Sequence, residues 1–146
     1  MISNPVIEQM HKHASVRHYK PDPVPEDMIE AIVAAGQRAS TSSNLQMYSV
    51  VAVTDQDKKS RLGALCGNQK HIFQAPVFMA WCADLSRLDR ICGMQGYEHQ
   101  AGNMENLLLA AVDVAIAMQN AALAAESLGL GICYIGAIRN HPLDVI

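Results

Sequence analysis

No two cysteines in this chain stand at C-x-x-C spacing, no run of Lys or Arg exceeds two residues, and no G-x-G-x-x-G follows a strand and opens a helix. Each absence removes a class of function. Without paired spacing, Cys66, Cys82, Cys92 and Cys133 offer neither a zinc site nor a dithiol motif. The last three lie in or beside apolar runs, where a reduced thiol behaves as a small hydrophobe, so free thiols are expected. A net charge of −3 and a pI near 6.0 leave no basic surface for nucleic acid. The start of the chain carries Asn4, Pro5 and Glu8 where a signal peptide needs a basic start and a long apolar stretch, so a cytoplasmic location is expected. Gly129, Gly131 and Gly136 do not form a dinucleotide-binding fingerprint, because the first two close a helix and precede a strand, the reverse of the order it needs. His11 and His13, two residues apart, share no helical face and have no acidic partner at ligand spacing, so no metal site is expected. Nothing nominates a catalytic acid, base or nucleophile, because proximity in the fold cannot be read from spacing.

What is present is a long apolar stretch. With 146 residues, half of them hydrophobic, the chain is sized for one cored domain. Between Leu107 and Leu128 the strongly polar interruptions are Asp113, Gln119, Asn120 and Glu126. Asp113 and Asn120 are seven residues apart, as are Gln119 and Glu126, which at helical periodicity confines them to two narrow stripes. The stretch therefore reads as a long helix buried on most sides. The polar groups spread through it, two of them acidic, argue against a membrane span, and the many alanines favour close packing in a core. Gly129 closes the helix, and the β-branched and aromatic run Ile132 to Ile138 is expected to be a buried strand.

Local signals order the rest. Asn4 caps a helix with Pro5 at its first position, ending by His13. Pro21, Pro23 and Pro25 forbid regular helix until Pro25 starts the next, whose buried stripe is Met28, Ile29, Ile32 and Val33. A hydroxyl-rich loop, Ser40 to Asn44, leads to a strand over Ser49 to Thr54. Asp55 turns the chain into a helix ending near Cys66. A second strand is expected over Val77 to Ala83, a helical turn over Arg87 to Ile91 and a long flexible connection over Gly93 to Gly102. Strands separated by helices imply an α/β or α+β fold with helices covering the sheet. Asn140 and Pro142 open a further helix that stops after one turn, so the fold is expected to be incomplete at its C-terminus.

Two stretches have the chemistry of a binding site. Ser15 and Arg17 offer a hydroxyl and a guanidinium in an extended segment, a pair suited to phosphate, although an ordinary exposed arginine reads the same way. Gly136 lets a flat ligand approach backbone N–H groups, or simply ends a strand.

In combination, four blocks are similar to the flavin-dependent nitroreductase family, closest to its NADPH-dependent branch of oxygen-insensitive nitroreductases and flavin reductases. They are His13-Ala-Ser-Val-Arg17, Ser42-Ser-Asn-Leu-Gln46, Gly67-Asn-Gln-Lys-His71 and Ala125 through Asn140, within a resemblance running from about His11 to Ile146. The resemblance implies an α+β domain with a sheet flanked by helices and a long central helix. It implies FMN as cofactor, with His13, Ala14, Ser15 and Arg17 gripping its phosphate and ribityl chain and Gln69 hydrogen-bonding near the ring. Tyr134, Ile135, Gly136 and Ala137 would pass their backbone beside the isoalloxazine. Ser42, Ser43 and Asn44 would reach the flavin from the other subunit of a homodimer. NADPH would be the reductant and a nitroaromatic, quinone or free flavin the small-molecule acceptor. A non-catalytic flavin-binding or dimerisation module is the alternative. The resemblance departs at Ala14, where that branch usually carries Arg.

Overall fold

The computed structural model describes residues 2–99 and 102–146. Helix α1 spans Pro5–His11, with the Asn4 side chain accepting from Ile7 N–H at 3.0 Å. Helix α2 is Glu26–Gly36, and a 3-10 turn at Ser42–Asn44 leads into strand β1, Tyr48–Val53. Helix α3, Gln56–Leu65, starts from Asp55, whose carboxylate accepts from Lys58 N–H at 2.9 Å. Then come α4 (Lys70–Gln74), β2 (Phe78–Ala83), α5 (Ser86–Met94) and α6 (Met104–Ser127). A second 3-10 turn, Gly136–Arg139, and α7, Pro142–Val145, finish the described chain. Strands β1 and β2 pair into a two-stranded sheet, and the class is α+β.

Two compact units emerge. The first combines the N-terminal segment through Ile29 with Ala52–Met79 and Ala125–Ile146. Its core holds Leu62, Cys66, Ile72 and Phe78. Helix α3 packs on α4, the Gly136–Arg139 turn and α7. The buried Lys59 is satisfied by its Nζ donating to the carbonyls of Ala75 (2.9 Å) and Pro76 (3.3 Å), so its charge is not stranded.

The second unit is Glu30–Val51 with Ala80–Ala124. Its core is built where α2 crosses α6. Gly36 meets Trp81, the Ala117 carbonyl and Ala121, and a methyl group there would lie 2.9 Å from Trp81 Cη2 and 3.1 Å from Ala117 O. Alanine would gain about 1 kcal/mol in helix propensity. A backbone carbonyl cannot swing aside, however, so overpacking of about 1–3 kcal/mol should win. Gly36→Ala is therefore expected to destabilise the protein by a net of about 1 kcal/mol, read as a lower urea midpoint. An unchanged or raised midpoint would mean that the crossing is looser than this geometry.

Several expectations are corrected. Ile132 to Ile138 is not a strand. It makes one parallel bridge, Ser15 with Ile132, and then winds into the Gly136–Arg139 turn. A β-branched run becomes a strand only if a partner supplies a ladder, and the segment beside it is irregular. Helix α6 is not covered on most sides within one chain. The side centred on Ala110, Asp113, Ala117 and Ala121 is buried, whereas Met104, Leu107, Leu108, Val112 and Ile116 stand exposed. By length and composition α6 could cross a bilayer, but it packs as a core helix with a buried, hydrogen-bonded carboxylate at its middle. Helix α5 occupies the start of the expected flexible connection, of which Gln100 and Ala101 lie outside the described residues. The cap of α7 is His141, one residue beyond Asn140. All four cysteines are free, but Cys66 is the buried one and Cys82 is exposed.

Candidate functional site

The first unit brings together segments more than 100 residues apart in sequence. Helix α6 ends in a left-handed Gly129 at φ 82°, with Leu130 N–H donating to Ala125 O (3.1 Å) and Gly129 N–H to Glu126 O (3.0 Å). This closure reverses the chain and aims Gly131–Ile135 along the segment that follows α1. There Val16 N–H donates to Ile132 O at 2.9 Å. A methyl group on Gly131 would meet the Val16 side chain at 2.8 Å, so the approach needs glycine.

Within this pairing His13, Ala14, Ser15 and Arg17 are exposed, and Val16 points inward. His13 Nδ1–H donates to Glu126 Oε1 at 2.6 Å. Tyr19 O–H donates to Val16 O at 2.7 Å and locks the turn after Arg17. Burial pushes the Tyr19 phenol above its usual value, the neighbouring Cys133 adds to this and the Arg17 guanidinium opposes it. The same shift on Tyr134 comes from burial and then from the Glu126 carboxylate. Imidazole, hydroxyl and guanidinium are thus all exposed on this segment.

In the segment paired with it, Tyr134 and Gly136 are exposed, while Ile135 and Ala137 are half-buried. Beside the Gly136 Cα lies the Arg139 guanidinium, 3.2 Å from where a methyl carbon would sit. A side-chain-free edge next to a cation suits a flat ligand that carries negative charge. Arg139 was not among the residues expected from sequence; the signal was its place three residues beyond Gly136, on the same side of a 3-10 turn. Gln69 precedes α4, and its Nε2 donates to Cys66 O at 2.8 Å, so one amide N–H serves the end of α3 while the second N–H and the carbonyl oxygen are left for a ligand.

Ser42, Ser43 and Asn44 belong to the second unit. Their loop has left-handed residues at Ser43 (φ 49°), Asn44 (56°) and Gln46 (53°), conformations that cost a non-glycine residue energy. The compensation comes from Asp113 on α6. Its fully buried carboxylate accepts from Ser42 N–H at 2.9 Å and from Met47 N–H at 3.4 Å. The Arg87 guanidinium donates to Gln46 O. Ser43 and Asn44 are held at the exposed tip. Sequence periodicity marked Asp113 only as a polar interruption in an apolar helix, and its clamp on this loop was not legible there.

Within the first unit the donor set therefore suits a phosphorylated, planar cofactor: cationic and hydroxyl groups on His13–Arg17 and a side-chain-free backbone position at Gly136. Comparison with known proteins agrees in its own terms. The model of the nitroreductase family matches residues 10–69 and 64–143. The oxygen-insensitive NADPH nitroreductase of Salmonella typhimurium is 46% identical over 94% of this chain and 56% of its own length. The FMN reductase (NADPH) of Bacillus subtilis is 41% identical over 94% of this chain and 56% of its own. The structure of the NADPH:FMN oxidoreductase from Vibrio harveyi complexed with NAD+ superposes with a TM-score of 0.91 at 39% identity, over 97% of this chain and 60% of that one. The chain thus spans a little over half the length of the relatives it matches, and across nearly all of its own length the sequence and the backbone path agree with theirs. It belongs to the nitroreductase family.

Proposed function

We propose that this chain is the FMN-binding part of an NADPH-dependent oxidoreductase that reduces small-molecule acceptors such as nitroaromatics, quinones or free flavin. The observation that carries the reading is the Val16 N–H to Ile132 O hydrogen bond, because it joins the segment with phosphate-binding donors to the segment with a side-chain-free edge. FMN, when bound, supplies the hydride chemistry between nicotinamide and acceptor. The protein's part is binding, orientation and electrostatics. Arg17 and Ser15 would hold the phosphate and His13 the adjoining polar chain, with Ala14 giving a close backbone contact. The backbone at Tyr134, Ile135, Gly136 and Ala137, with Gln69, would lie beside the ring, and N–H donors there stabilise negative charge gathering on it. No side chain is assigned as acid or base.

The working form is proposed to be a homodimer in the cytoplasm. The uncovered stripe of α6 supports the first part: Met104, Leu107, Leu108, Val112 and Ile116 form an apolar face of the kind that a symmetric partner covers. In that arrangement Ser42, Ser43 and Asn44 serve the partner's cofactor. Four free thiols suit a reducing compartment.

Mixed with FMN and then with NADPH under anaerobic conditions, the protein is expected to lose its flavin absorbance, and the absorbance should return when a nitroaromatic or quinone is added. FMN binding with no bleaching by NADPH would identify a flavin-binding module without turnover and overturn the catalytic reading.

A further inference from the structure

Glu126 stands in the last turn of α6, where the helix dipole is negative and an acidic side chain is disfavoured. Its side chain is nonetheless only 8% exposed, which adds a desolvation cost to the electrostatic one. The contact that offsets both is His13, whose Nδ1 lies 2.6 Å from Oε1 across 113 residues of sequence. Glu126 cannot itself attract a phosphorylated ligand, since it is an acceptor and negatively charged. Its service must pass through the histidine.

We infer that Glu126 is a positioning residue. It fixes the His13 ring and places the proton on Nδ1, so that Nε2 is the atom presented to the cofactor. This rests on the FMN reading above for the identity of the ligand, while the geometry stands apart from it. A carboxylate acceptor requires N–H at Nδ1, which decides the tautomer, as hydrogen-bonded partners of functional histidines generally do. The rest of the ring edge is open, the His13 side chain being 43% exposed. Both ends of the pair are anchored: Glu126 by the last turn of α6 with its Gly129 closure, and His13 by the Val16 N–H to Ile132 O bond three residues on. The Tyr134 phenol is raised first by burial and then by the same carboxylate, so the charge of Glu126 is also felt on the second segment. An imidazole held in advance has less rotamer freedom to lose when the ligand arrives.

The test is a double-mutant cycle read by FMN affinity through flavin fluorescence, with Glu126→Gln and His13→Ala alone and combined. Glu126→Gln is expected to weaken FMN binding about tenfold in the wild-type background and to change nothing further once His13 is alanine. In cofactor-free protein labelled with 15N-histidine, the His13 ring should show N–H at Nδ1, and Glu126→Gln should shift that signal to mixed tautomers. If Glu126→Gln unfolds the chain, Glu126→Asp, which keeps the charge but shortens the reach, should give the same non-additive loss. Equal losses in both backgrounds would overturn the inference, because they would mark Glu126 as merely structural. So would a loss for His13→Ala with none for Glu126→Gln and no change in the ring signals, which leaves the FMN reading standing. Wild-type protein that binds no FMN would overturn both.

Discussion

Replacing Asp113 with alanine should destabilise the protein by about 3 kcal/mol, lowering the thermal midpoint on the order of 10 °C. The size follows from what the carboxylate satisfies. Its two oxygens accept from backbone N–H groups of Ser42 and Met47, and Met47 is fully buried. Backbone donors cannot be mutated away with their acceptor, so the variant leaves both unpaired, at about 1–3 kcal/mol for each fully buried one. Ser42 is only half-buried, which keeps the estimate in the lower half of the roughly 2–6 kcal/mol that two such groups would cost. Asp113→Asn should cost less, because its carbonyl oxygen keeps one of the two N–H groups while its NH2 opposes the other. Circular dichroism melts of the three proteins measure this directly. Asp113→Ala within about 0.5 kcal/mol of wild type, the range of an uninvolved surface change, would show that the loop needs no clamp.

Arg17→Ala is expected to weaken FMN binding by about 10- to 150-fold, corresponding to the roughly 1.5–3 kcal/mol of a hydrogen bond to a charged group. The loss should be confined to the phosphorylated form: riboflavin, which has the same ring without the phosphate, should bind both proteins about equally. Arg17→Lys should recover part of the affinity, since an ammonium supplies the charge but not the planar fork. Tyr19 closes the turn after Arg17 through its bond to Val16 O, so the arginine begins from a held backbone. Equal losses for FMN and riboflavin would indicate that Arg17 meets the ring, and no loss for either would remove it from the site.

Features written in contiguous residues were legible. Asn4 and Asp55 cap α1 and α3 as their side chains imply, and Gly129 closes α6, because each device joins a side chain or a left-handed glycine to backbone within a few residues. The five-residue α4 was missed for the converse reason: Gln69 precedes it without a side-chain cap, and nothing local announces it. The expected strand over Ile132 to Ile138 failed because strand formation is settled by a distant partner, here a single bridge to Ser15.

The candidate site divides along the same line. The segments themselves were named from sequence by their resemblance to a family, but their mutual approach was not derivable from spacing. Glu126 and Asp113 appeared only as polar interruptions of a helix. Their partners, His13 and the Ser42–Met47 loop, lie 113 and 66 to 71 residues away, a distance no periodicity spans.

A side-by-side titration of wild-type protein with FMN and riboflavin, followed by visible absorbance, bears most directly on the proposal that the paired segments His13–Arg17 and Tyr134–Ala137 hold a phosphorylated flavin. The expected result is saturable FMN binding with one flavin per chain, tighter than riboflavin by about tenfold or more. Indistinguishable affinities for the two flavins, or no binding of either, would contradict it.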